Sequence, residues 1–70
     1  MSSHDNWKKI HTRRAISYSK KHNCIVQVRQ VVRGRGKGFF DDYIPGDPSG
    51  WGPDTVLKVI AVYKDGVKIE

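Results

Sequence analysis

Apolar positions recur in this chain first at a helical interval and then at alternate residues. Over residues 6–21, steps of 100° place Trp7, Ile10, His11, Arg14 and Tyr18 within one arc, and Lys9, Arg13 and Lys20 on the opposite one. The pattern predicts an amphipathic helix with an aromatic-aliphatic face and a basic stripe, Ile16 alone falling among the basic residues. Asp5 or Asn6 can cap its start. Lys20-Lys21-His22 suits the negative end of the helix dipole, and Asn23 is a good left-handed stop. The stretch Ala15 to Ser19 also alternates like a short strand, but the signals at both ends select the helix.

From Cys24 to Arg33 the period changes to two and β-branched residues dominate, which predicts a strand. Cys24, Val26, Val28 and Val32 point to one side, interrupted by Gln30, and are expected to be core. Ile25, Gln27, Arg29, Val31 and Arg33 point to the other, half-apolar and half-basic side. Three glycines in Gly34-Arg35-Gly36-Lys37-Gly38 end the strand in what reads as a flexible turn. Phe39 to Ile44 is then the antiparallel return. All three prolines lie in residues 45–54, an irregular loop of a length that in small domains is often functional or pinned by a large side chain.

Thr55 to Tyr63 is a long apolar strand, and Val67 to Glu70 returns after Lys64-Asp65-Gly66. A three-residue loop pairs Tyr63 with Val67 and Ala61 with Ile69. It also joins Leu57, Val59, Ala61, Tyr63, Val67 and Ile69 into one apolar face, so it is the expected register. Val56, Ile60 and Val62 then occupy the other face, which makes this a central strand. The sum is an α+β fold, an N-terminal helix packed on a small three- to four-stranded antiparallel sheet. It forms a single small domain over residues 1–70, with 1–5 expected to be disordered. One helix covers one sheet face, so the second face is either an interface or is covered by the proline-glycine loop.

Seventy residues bury a modest core, and the single cysteine, Cys24, permits neither an intrachain disulfide nor a cysteine-based zinc site. A lone thiol and the lack of an apolar leader or spanning run lead to a cytoplasmic expectation. Charge changes the picture more. Residues 1–38 carry ten Lys or Arg against one acid, and residues 39–70 carry three against six, so halves of +9 and −3 compose the net +6. Such segregation favours a ligand-binding face over a merely solvated one.

Candidate chemistry is sparse. His4 and His22 lie near the ends of the helical segment, and His11, on its apolar face, reads as a packed side chain rather than a base or ligand. Cys24 faces the core, and no nucleophile-elbow, zincin or phosphate-loop pattern occurs. Asp41, Asp42, Asp47 and Asp54 match no calcium loop. The first two point to opposite sides of a strand, and the last two suit turns beside prolines. No catalytic residue, metal or cofactor is therefore expected.

Binding signals are stronger. Arg33-Gly34-Arg35 is a tripeptide that can lie flat in a narrow A·T minor groove, and it resembles the core of an AT-hook, followed here by Gly36-Lys37 in place of proline. Phe39 and Phe40 are adjacent, so one must face away from the core, and Trp51 sits between loop glycines. Such aromatics serve either as stacking platforms or partner contacts, or, for Trp51, as the pin of its loop. The expectation is a basic, non-enzymatic nucleic-acid-binding protein that prefers double-stranded DNA to RNA. Its contacts would come from Arg29, Arg33, Arg35 and Lys37, supported by Lys9, Arg13 and Lys20. The alternative is a protein-binding modulator, an inhibitor or adaptor docking on an acidic protein surface, or pairing with a second copy as a homodimer; no membrane is involved. A basic patch without exposed aliphatics would favour nucleic acid, and a contiguous apolar patch rimmed by charge a protein.

Overall fold

The computed structural model describes residues 3–70, with side chains from residue 6 onward. Helix α1 spans Ser3–His22, followed by strands β1 (Ile25–Arg33), β2 (Phe40–Tyr43), β3 (Val56–Lys64) and β4 (Val67–Lys68). All neighbours are antiparallel in the order β2-β1-β3-β4, so β1 and β3 are central and the helix lies on one face. This is the expected α+β arrangement, with four strands. The helix starts earlier than the sequence suggests, so Asp5 and Asn6 lie within it rather than capping it. The expected disorder of residues 1–5 falls, for Met1 and Ser2, outside the described residues. Its end is as expected: Asn23 is left-handed at φ 50, and the Cys24 amide donates to the Ser19 carbonyl, a six-to-one closure of the last turn.

The core between helix and sheet is Ala15, Val26, Val28, Ala61 and Tyr63, flanked by Ile16, Cys24, Ile44 and Ile60. The helix therefore buries the Ala15 and Ser19 line, not the aromatic arc; Trp7, Ile10 and Tyr18 remain exposed. Two contacts set this rotation. The Ser19 hydroxyl accepts the Gly66 amide at 3.0 Å, and His11 Nδ1 lies 2.8 Å from the Asp42 carboxylate. With both formed, the helix meets the sheet through Ala15 and Ser19, and Ile16, out of place in the expected pattern, joins the core edge.

Strand phase also departs from strict alternation. Val28 pairs with Ala61 but Arg29 with Val59, leaving Ile60 as an extra residue; Val31 pairs with Leu57 but Arg33 with Val56, leaving Val32 extra. Each bulge shifts the side chains beyond it by one face. The extra residue Val32, expected in the core, is exposed, whereas Val31 keeps the face of Arg29 and is buried there opposite Leu57. Ala61 and Tyr63 face the helix opposite Val28 and Val26, and Val62, opposite Gln27, is buried on the other face.

The last hairpin corrects the expected register. Tyr63 pairs with Lys68 and Lys64 with Val67, so the loop is the two residues Asp65-Gly66, both at positive φ (52 and 81) as a type I′ turn requires. Val67 and Ile69 stay exposed, and the single apolar face from Leu57 to Ile69 does not form. A turn whose twist matches the strands, docked by its amide on a fully buried serine, outweighs the burial of two terminal aliphatics. Ser19→Ala, which strands that amide, should lower stability by about 1–2 kcal/mol. Thermal unfolding checks this against the exposed Ser17→Ala, expected to change stability by less than about 0.5 kcal/mol.

Candidate functional site

On the sheet face away from the helix, one ionic cluster organises the basic turn. Arg29 and Asp41 stand directly opposite each other on β1 and β2. The guanidinium donates twice, Nε to Oδ1 at 3.0 Å and Nη2 to Oδ2 at 2.6 Å, with its side chain only 11% exposed. Its plane covers the Tyr43 ring, with Cζ 3.9 Å from the centroid. The Trp51 indole N–H donates to the same Asp41 Oδ2 at 2.9 Å, which brings the proline-glycine loop back over the sheet. The Tyr43 hydroxyl donates to the Asp47 carbonyl and ties down the start of that loop.

Trp51 in turn packs on the glycine turn. A Cβ on Gly36 would lie 2.6 Å from Trp51 Cζ3, and one on Gly34 would lie 2.6 Å from the Asp54 carbonyl oxygen. Both glycines have positive φ, 85 and 102, so their lack of a side chain serves conformation and close approach together. The turn is closed by hydrogen bonds from the Lys37, Phe39 and Gly38 amides to the Gly34, Gly36 and Val31 carbonyls, respectively. The stretch expected to be flexible is thus a packed, hydrogen-bonded turn. Arg33-Gly34-Arg35 follows its curvature instead of lying flat.

Of the residues expected to bind, the structure brings together Arg33, Arg35 and Lys37, all exposed, with Phe39, 58% exposed. Phe40 is the buried member of its pair. Trp51 is half-buried and pins its loop, yet it also lines a concavity of about 400 Å³ with Arg35, Gly50, Gly52, Asp54 and Thr55. Arg29 is set apart, its Nε and Nη2 committed to Asp41. Lys9, Arg13 and Lys20 are exposed on the helix. Lys20 packs against Gly66, at the end of the sheet where Lys64 pairs with Ile25, whereas Arg33 pairs with Val56 at the other end. Eight steps of strand separate those ends by about 26 Å, so Lys20 and the turn do not share a patch.

Two acids drawn inward leave a strongly basic exterior. Asp41 neutralises Arg29, Asp42 takes His11 with Arg14 Nε 3.9 Å away, and every Lys and Arg other than Arg29 is exposed. Among the described residues, no three His, Cys, Asp or Glu side chains gather as a metal site, and no helix is long and apolar enough to cross a membrane. Sequence reasoning missed the outward position of Arg14 and Tyr18; an arginine in the middle of an otherwise apolar helical arc was the available sign that the arc meets water.

No family model, curated protein or solved structure matches this chain. The cluster gives a direct stability expectation. Asp41→Ala leaves a largely buried guanidinium unpaired and should cost about 3 kcal/mol, whereas Asp54→Ala, at an exposed carboxylate, should cost less than about 0.5 kcal/mol. Urea unfolding midpoints of the two variants check it.

Proposed function

We propose that this chain is a non-enzymatic nucleic-acid-binding module whose contact surface centres on the Arg33–Phe39 turn, and that it engages single-stranded polymer. The observation that carries this reading is the presentation of three cations and one exposed aromatic on a turn held in a single shape by Trp51. Arg33, Arg35 and Lys37 supply phosphate contacts, and Phe39 supplies a face on which an unpaired base stacks. From the sequence, duplex DNA is expected because a flat Arg-Gly-Arg fits a minor groove. Gly34 at φ 102 within a closed turn gives a different outline, so the support for a duplex weakens and single strands, DNA or RNA, fit better. The helix cations Lys9 and Arg13 add long-range attraction rather than contacts in the same patch.

A protein partner is the second reading, and a separate surface favours it. By the register, Ile25, Val59 and Val67 share the sheet face away from the helix with Lys64, and Ile69 lies beside them; all four aliphatics are substantially exposed. An aliphatic patch edged by charge suits an acidic protein surface or a second copy of the chain.

The two readings separate in one titration. The wild-type chain should bind a short oligothymidylate with an affinity that falls steeply with salt. Replacing Arg33, Arg35 and Lys37 together by Ala should make the log–log salt slope shallower by about 2, the share of three phosphate contacts on a single strand. An unchanged slope and affinity would remove the turn as the contact surface and leave the aliphatic face as the better candidate.

A further inference from the structure

A second concavity, of about 370 Å³, lies on the opposite side of the sheet from the Arg29 cluster, between the C-terminal half of the helix and β2. It is lined by Arg14, Ser17, Tyr18, Lys21, His22 and Asp42. Helical spacing puts the first five on one face, and the His11–Asp42 and Arg14–Asp42 approaches turn that face toward β2. Its features are not those of a core. The Tyr18 ring sits 4.2 Å from the His22 ring, tilted by 36°, and Tyr18 is 40% exposed. An aromatic pair is thus displayed to solvent with Arg14 and Lys21 lining the same concavity. Arg14 has a side chain 61% exposed, and its Nε, at 3.9 Å from Asp42, is beyond hydrogen-bond distance, so its donors remain open to a ligand.

We propose that this concavity is a nucleotide subsite. A base lies against the Tyr18–His22 pair, and the flanking phosphates are held by Arg14 on one side and Lys21 on the other. The ligand class is one unpaired nucleotide unit of a single-stranded nucleic acid. Charge complementarity selects it: two cations accompany one aromatic platform, as phosphates accompany a base in a single strand. A duplex keeps its bases stacked inside and offers nothing to the platform. This assignment rests on the nucleic-acid reading above but places a contact on a different surface, beyond the Arg33–Phe39 turn.

The test is oligothymidylate binding by the full chain in three forms: Tyr18→Ala, Tyr18→Phe, and Arg14→Ala with Lys21→Ala. The turn variant lacking Arg33, Arg35 and Lys37 serves for comparison. Circular dichroism confirms that each is folded, which the exposure of these side chains favours. Tyr18→Ala should weaken binding about ten-fold and Tyr18→Phe should leave it near wild type, because the ring supplies the stacking surface. The Arg14 and Lys21 double variant should weaken binding and flatten its salt dependence. If the helix variants bind as wild type while the turn variant does not, the subsite is overturned and the nucleic-acid reading survives. If the wild-type chain binds no oligonucleotide at low salt, both are overturned. Backbone amide shifts on titration give an independent reading: changes at Arg14, Tyr18 and Lys21 support the subsite, and changes confined to the turn refute it.

Discussion

The bidentate pair between Arg29 and Asp41 is the constraint on which the binding turn depends. It joins β1 to the edge strand β2, and through Asp41 it captures the Trp51 indole. Trp51 then settles on Gly36, so a single carboxylate connects the central sheet, a ten-residue irregular loop and the glycine turn. A chain of this size has about 4–10 kcal/mol of total stability, and the helix can shield only one face of its sheet. The far face needs another cover. Here it is a tryptophan held at one end by a hydrogen bond and packed at the other on a residue with no side chain.

That arrangement also explains how strong charge segregation is tolerated. Arg29 and Asp41 neutralise one another within the fold, and the remaining cations are all exposed to water, divided among the helix, the turn and the strands. The exterior divides into three regions of different chemistry: a rigid basic turn with one aromatic, a helical stripe where aromatics and cations mix, and an aliphatic sheet face. The first two offer alternating charge and ring surface, the combination that unpaired nucleotides present in complement. The third is mainly aliphatic with charge at its edge, which is why it points to a protein contact instead.

What was legible in the sequence was local. The helix, its stop at Asn23, the strands around Val26 and Val59 and the outward turn of one phenylalanine follow from spacing within a few residues. What was hidden depended on contacts between distant residues. Ser19 meets Gly66 and His11 meets Asp42 only in the tertiary structure, and these rotate the helix so that Trp7 and Tyr18 face water. The bulges at Val32 and Ile60 change phase without a glycine to announce them. Arg29 reads as a binding residue because it is close in the chain to Arg33 and Arg35. Pairing the two strands across the glycine turn puts it opposite Asp41, a signal that was present but required the register. Arg33, Arg35, Lys37 and Phe39 were legible because a short turn keeps chain neighbours together.

The central claim is that the basic turn has one shape, imposed by Trp51 from across the loop. The most direct measurement is proton NMR of the free chain, observing the Gly36 α-protons and the Trp51 indole N–H. Packing of the indole on Gly36 predicts a ring-current shift of those α-protons, Overhauser contacts between them and the Trp51 ring, and slow exchange of the indole proton bonded to Asp41. Random-coil shifts at Gly36 with a rapidly exchanging indole would mean that the turn is free of the loop and that no preformed binding surface exists.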